Sequence, residues 1–313
     1  MKNKKKIVCI IDTDPGVDDC AALALSLYDE KMDIRLITTL AGNLGLNKTT
    51  RNTLHLLEKF KRDDIPVVKG ASKAMERISP DATFIHQKEG MGGYVPPKTT
   101  NKQPDGRDAT EAMYQCIVEN KNNIDIIALG PHTNLGHLIK KHPDVVGMVN
   151  HIYCEGCAPY GVNGETHISF NVSTDPEAFK IVIESGIPIT IIPSRMGREI
   201  TNFSEAEVMS LRDINDAGRF IFEMYNGYWE PNYPDRRIAT NDTCACMIMR
   251  FPKLFKTRRV NFEVDTDEKP GKTIITPNRK SHIEYAYKAN KKKMHKLFFN
   301  AIKKLDFLKF YED

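Results

Sequence analysis

Short apolar runs alternate with amphipathic stretches along the first two thirds of the chain. The pattern predicts strands at Lys6–Asp12, Ile34–Leu40, Pro66–Lys69, Ile124–Leu129, Val149–Cys154 and Pro188–Ile192. Between them, apolar positions recur at helical spacing over Val17–Asp29, Asn47–Lys61, Arg107–Glu119, Thr133–Lys141 and Asp175–Ser185. Strands that alternate with helices imply parallel crossovers, so the fold expected is an α/β, open, mostly parallel twisted sheet. Continuous apolar strands fit a sheet covered by helices on both faces. The last third reads as mainly helical: Ser204–Trp229, Asn241–Met249 and Lys291–Leu305 as helices, with strands only at Val260–Val264 and Thr273–Ile275. Ala71–Gln103 shows no period, and a loop that long in a compact domain is usually functional. No repeat or linker divides residues 6–313, so one domain is expected behind a basic tail at residues 1–5.

Composition narrows the classes. Of 313 residues, 41% are hydrophobic and 27% charged, which excludes disordered and low-complexity chains. No stretch approaches the roughly 20 apolar residues of a membrane helix. The five apolar residues Ile7–Ile11 are too few for a signal peptide, so a cytoplasmic location is expected. The net charge of +4 gathers in lysine runs at the two ends, read as solvated surface rather than a nucleic-acid footprint. Neither nucleic acid nor membrane is expected as a partner. Seven cysteines, an odd number in a long chain, argue against a disulfide framework. Cys154, Cys157, Cys244 and Cys246 could in principle hold zinc, although reduced, partly buried thiols are the simpler reading.

The candidate chemistry begins where the first strand ends, at Asp12-Thr13-Asp14-Pro15-Gly16-Val17-Asp18-Asp19. Four carboxylates within eight residues repel one another in a low dielectric. Asp18 and Asp19 could cap the following helix, or a cation could neutralise the group. The apolar strand and the position at a sheet's carboxyl edge, where α/β folds bind ligands, favour a hard cation with oxygen ligands. Calcium suits it best, because it accepts six to eight flexible oxygens.

This octet resembles the N-terminal signature of the inosine-uridine nucleoside hydrolase family. The resemblance continues through Ala41-Gly42-Asn43, Gly90-Met91-Gly92-Gly93 and Leu129-Gly130-Pro131-His132-Thr133-Asn134-Leu135, then Gly161-Val162-Asn163, Phe170-Asn171 and Asn241-Asp242. It implies a nucleoside hydrolase-like, Rossmann-like fold, a homodimer or homotetramer, and hydrolysis of the N-glycosidic bond of ribonucleosides. Carried over by motif, Asp14, Asp19, Asp242 and the carbonyl of Thr133 would hold calcium, with Asp14 as general base and Asp12 supporting the cluster. Asp18, Asn43, Asn163 and Asn171 would bind ribose hydroxyls, and His86 would sit at the pocket mouth. Taken singly, the asparagines are ordinary turn residues; their order along one chain carries the reading.

The chain departs from the family pattern in its specificity residues. Ser169 stands where the family has a sugar-binding glutamate. Asn241 replaces a histidine thought to protonate the leaving purine, and an amide is no proton donor. Glu155 replaces a methionine that packs under the ribose, and Arg195 lies in an altered run after the strand at Ile189–Ile192. Leaving-group protonation could come instead from Tyr225, Tyr228 or His86, with Trp229 bordering the base. Ser169 and Arg195 together would also suit an anionic riboside such as a 5'-phosphate. A catalytically weak riboside-binding protein is the remaining alternative.

Overall fold

The structure, a computed structural model, describes residues 6–78, 81–157, 168–228 and 236–305. The chain runs β1 (Ile7–Thr13), α1 (Val17–Tyr28), β2 (Met32–Thr39), α2 (Leu46–Lys59), β3 (Val67–Lys69), α3 (Thr83–His86), α4 (Ala109–Glu119) and β4 (Ile124–Ala128). It continues through α5 (Thr133–Lys141), β5 (His151–Glu155), α6 (Phe170–Thr174), α7 (Pro176–Glu184) and β6 (Ile189–Ile192). After a π-helical turn at Met196–Ile200 come β7 (Phe203–Ser204), α8 (Glu205–Leu211), α9 (Asp216–Asn226), β8 (Arg237–Ile238) and α10 (Asn241–Arg250). β9 (Phe255–Val264), β10 (Thr273–Pro277), β11 (Ile283–Ala289) and α11 (Lys291–Lys304) complete it.

Nine strands form one sheet in the order β10-β9-β11-β6-β5-β4-β1-β2-β3. The ladders from β3 to β11 are parallel, and β9 and β10 add antiparallel strands at one edge. The alternation of side chains along a strand sends β1 into two cores. Cys9 and Ile11 join the layer of α1, α2, α9, α10 and α11, while Val8 and Ile10 join that of α4, α5 and α7. Each such buried aliphatic side chain contributes about 1.5–3 kcal/mol by leaving water. The chain leaves β1 on one side for β2 and β3, then returns to β4 on the other. The strand order therefore reverses between β1 and β4, and a crevice opens there at the carboxyl ends.

Two expectations change. The single helix expected over Ser204–Trp229 is two, because Asn215 caps α9 with its Oδ1 and donates its amide to the carbonyls of Ile302 and Leu305. The C-terminal part is helical in α8–α11 but also extends the sheet by three strands. β11 was not visible in the hydrophobic pattern, because its last residues, Tyr287 and Lys288, are both exposed and interrupt the alternation. Within Ala71–Gln103, the only helix among the described residues is the one turn of α3.

Candidate active site

β1 delivers Asp12 and Asp14 to the crevice, and the first turn of α1 adds Asp18 and Asp19; all four are buried. Asp242 arrives from the first turn of α10. Carboxylate oxygens of Asp18, Asp19 and Asp242 lie within 4.8 Å of one another. This is the one such metal-competent group among the described residues, so Cys154, Cys157, Cys244 and Cys246 form no comparable cluster. All seven cysteines are free thiols.

The cluster is only partly satisfied by protein. Asp19 accepts from Thr13 Oγ1 at 2.6 Å, from the Gly16 backbone at 3.1 Å and from Asn43 Nδ2 at 3.0 Å. Asp14 Oδ2 accepts the Asn43 backbone N–H at 2.7 Å, but its Oδ1 is buried without a partner. A Cβ on Gly42 or Gly130 would come within 2.0 or 2.4 Å of that carboxylate, so both positions need glycine. Asp12 Oδ1 is held by Thr38 and Asn134, at 2.5 and 2.7 Å, and its Oδ2 is also unpartnered. Burial, reinforced by the neighbouring carboxylates, pushes Asp14 and Asp242 well above the usual range. Burial pushes Asp12 up to about 7 against the hydrogen bonds that lower it. Unpartnered oxygens and crowded carboxylates fit a hard divalent cation. Thr133 Oγ1 is committed to Asp175 at 2.7 Å, so its backbone carbonyl is what it could offer such an ion.

A cavity of about 310 Å³ opens above the cluster. Asp18, Asn43, His86, Glu155, Ser169, Asn171, Tyr228, Asn241 and Asp242 all line it, so most of the expected pocket residues meet there. A larger cavity, about 500 Å³, lies at the far ends of α1 and α10. It has no carboxylate cluster among its described residues, so the chemistry favours the smaller one. Asn163 and Trp229 lie outside the described residues.

Four expectations need correction or sharpening. Arg195 does not reach the cavity: its guanidinium is half-exposed and pairs with Glu199 at 2.5 Å, one helical turn away. Arg198, which the sequence reading passed over, lines the cavity instead. Tyr225 is fully buried, packs against Phe203 with ring centroids 6.2 Å apart, and is absent from the described lining. His86 stacks on Tyr228 at 5.1 Å, and its Nδ1 accepts the Val17 N–H at 3.1 Å. That bond places its proton on Nε2, and burial pushes the imidazole down to about 3, so His86 is a neutral donor rather than a stored acid. The cluster itself joins Asp18, not Asp14, to Asp19 and Asp242.

Supporting residues were harder to see. Asp175 caps α7 and binds Thr133 and the Met75 N–H, and its Asp-Pro position was the available signal. Asn134 ties Asp12 to the Ala71 N–H. His132 is buried with neither ring nitrogen hydrogen-bonded among the described residues, and burial pushes it down to about 4.

Similarity to known proteins is consistent along the whole chain. The family model described as inosine-uridine preferring nucleoside hydrolase matches residues 9–312. The non-specific ribonucleoside hydrolase RihC of Klebsiella pneumoniae is 31% identical over 264 residues, covering 83% of this chain and 84% of its own. RihC of Salmonella typhimurium is 31% identical over 271 residues, covering 85% and 86%. Among solved structures, the plant nucleoside hydrolase PpNRh1 superposes with a TM-score of 0.86 at 25% identity, over 95% of this chain and 98% of that one. The purine-preferring ribonucleoside hydrolase from Gardnerella vaginalis shares the fold, with a TM-score of 0.87 at 24% identity over 95% and 98%. An acidic crevice at the β1/β4 reversal and a family match from end to end agree: the chain belongs to the inosine-uridine preferring nucleoside hydrolase family.

Proposed function

We infer that this chain hydrolyses ribonucleosides to ribose and free base, with calcium held at the Asp18, Asp19 and Asp242 cluster and Asp14 as general base. The family match supports the reaction. The observation that carries the mechanism is the buried, unpartnered Asp14 Oδ1 beside the crowded carboxylates of Asp18, Asp19 and Asp242, of which Asp18 and Asp242 line the cavity. When bound, a divalent cation supplies Lewis acidity that acidifies water and offsets the carboxylate charge. Asp14 then takes the proton of the attacking water through Oδ1, while its Oδ2 stays fixed by Asn43. Asp19, Asp242 and the Thr133 carbonyl are the proposed donors, with Asp18 shared between ion and ribose. Asn43, Asn171 and Ser169 present polar atoms to the sugar. The anionic surroundings stabilise positive charge where it develops on the ribosyl group. At the other end, His86 Nε2–H and the Tyr228 hydroxyl are the donors placed to meet a leaving base, and Asn241 contributes only its amide. We extend to this chain the homodimeric or homotetrameric state and the cytoplasmic location expected from its sequence.

The anionic-riboside alternative would rest on Arg198, which lines the cavity, rather than on Arg195, which pairs with Glu199. The test of the leading reading is base release from purine and pyrimidine ribosides by wild type and Asp14→Asn, with metal analysis alongside. Loss of the base should lower turnover about 10²- to 10⁴-fold with the fold intact. Turnover of the variant near the wild-type rate would overturn Asp14 as the base. Wild-type protein that binds ribosides without releasing base would instead support the binding-protein reading.

A further inference from the structure

The loop that follows α3 is strained directly behind His86. Gln87 has φ 65° and ψ 167°, a region held almost only by glycine. A residue with a side chain stays there only when its surroundings over-determine the chain. The same turn sets the direction of His86, because the Gly92 N–H donates back to the His86 carbonyl at 3.2 Å.

The restraint comes from α2. Asn52 is fully buried, and its Nδ2 donates to the Glu89 carbonyl at 2.9 Å and to the Pro15 carbonyl at 3.2 Å. Its Oδ1 accepts Arg51 Nη2 at 2.9 Å. Arg51 also donates to the Glu89 carbonyl at 3.2 Å and to the Glu89 carboxylate at 2.8 Å. An amide has two protons, and Asn52 spends one on each segment. A reversed amide would set its oxygen against two carbonyl oxygens and its N–H groups against a guanidinium, so one orientation is fixed.

The two segments that Asn52 joins carry the two ends of the proposed mechanism. Pro15 follows Asp14, and Glu89 lies three residues after His86. The Asp14 end has other supports, since β1 is paired on both sides and Asn43 holds the carboxylate. Glu89 is gripped from α2 alone among the described residues, by Lys48, Arg51 and Asn52. His86 in turn has no room to drift: its Nδ1 accepts the Val17 N–H, and a Cβ on Gly16 would lie 2.5 Å from that nitrogen.

We propose that Asn52 is a positioning residue for departure of the base: by tying Glu89 to the turn after Asp14, it holds the strained loop in place and keeps His86 Nε2–H aimed at the leaving group. The proposal rests on the hydrolase reading, in which His86 donates a hydrogen bond to the base as the base takes the electron pair of the broken bond.

The test compares wild type, Asn52→Leu, His86→Ala and the double variant, with melting curves to confirm folding. Each is given a natural riboside and p-nitrophenyl riboside, whose leaving group departs as a stable anion and needs no donor. Asn52→Leu, similar in volume but without donors, should lower kcat for the riboside about 10- to 100-fold and leave p-nitrophenol release within about threefold. In the His86→Ala background the same substitution should cost less than about twofold more, because the two residues act as one unit. Ring-nitrogen NMR should show His86 as one tautomer in wild type, with its proton on Nε2, and as a mixture in Asn52→Leu. Equal loss on both leaving groups, losses that multiply in the double variant, or an unchanged tautomer would make Asn52 a general structural residue and overturn the proposal. Should Asn52→Leu fail to fold, Asn52→Ser, which keeps one donor, carries the same comparison at a smaller loss. Absence of base release by wild type would remove the hydrolase reading alone, because the ring-nitrogen signals still report whether Asn52 fixes His86.

Discussion

Asp242→Asn should change stability in opposite directions with and without calcium. Asp18, Asp19 and Asp242 hold carboxylate oxygens within 4.8 Å of one another. At an effective dielectric of about 20, two unit charges at that spacing repel by about 3.5 kcal/mol. Asp242 ionised beside both others would thus cost about 7 kcal/mol, comparable to the whole stability of many domains. Binding a proton is cheaper. Bringing a carboxyl of ordinary pKa 3.8 to its protonated form at pH 7 costs at most about 4 kcal/mol, at 1.36 kcal/mol per pH unit. That figure is the ceiling on what the cluster imposes through Asp242 in the absence of a cation. An amide at this position needs no proton. In chelator the variant should therefore melt above wild type, by up to roughly 8 °C at about 2 °C per kcal/mol. With calcium the order should reverse. An ion at about a thousand times its Kd stabilises the wild type by about 4 kcal/mol, and the variant forgoes most of this. The assay is scanning calorimetry of both proteins, at one pH, in chelator and in millimolar calcium. A variant that melts below wild type in chelator too, or a wild type indifferent to calcium, would refute the reading of these carboxylates as cation ligands.

Tyr228→Phe should lower base release about tenfold or more, whereas Tyr225→Phe should leave it within about twofold, because Tyr225 is fully buried against Phe203 with Thr243 beside its hydroxyl and is absent from the described cavity lining. Steady-state rates of the two variants decide it, and the reverse ranking would show that Tyr225 reaches the base after all. His55 on α2 hydrogen-bonds Tyr94 at 2.9 Å, and burial, then Lys59 and Arg51, pushes it down to about 4. A histidine lowered in this way contributes stability above its unfolded value of 6.5 and loses it as the pH falls toward 4. Wild type should lose about 2 kcal/mol between pH 6.5 and 5 that His55→Gln keeps, read from urea midpoints; equal slopes would reject the assignment.

What the sequence could and could not show follows from how local each determinant is. The acidic octet was legible because an apolar strand, a Pro-Gly turn and an opening helix lie together within thirteen residues, and no distant contact is needed to place them. Which carboxylates form the tight cluster was less legible. Asp18 and Asp19 occupy the first turn of α1 and face Asp242 in the first turn of α10, while Asp14 lies before the turn. That pairing is set by how two helices pack, not by spacing. The same limit explains Arg195 and Arg198. Both belong to one run after β6, and the π-helical turn at Met196–Ile200 decides which reaches the cavity. A residue added to a helical turn rotates every side chain after it, so a 3.6-residue period gives the wrong face. The break between α8 and α9 hangs on the cap at Asn215, whose partners lie about ninety residues further on. Glu155 joins this group. Its strand was expected, but its burial against Asn171, which donates both to it and to the Leu129 carbonyl, joins elements that spacing alone does not bring together. Active-site residues in this fold sit at the ends of strands and helices. There a cap or a turn, rather than the hydrophobic period, sets direction, so a motif can bring the right residues to the crevice and still leave open which of them face the substrate.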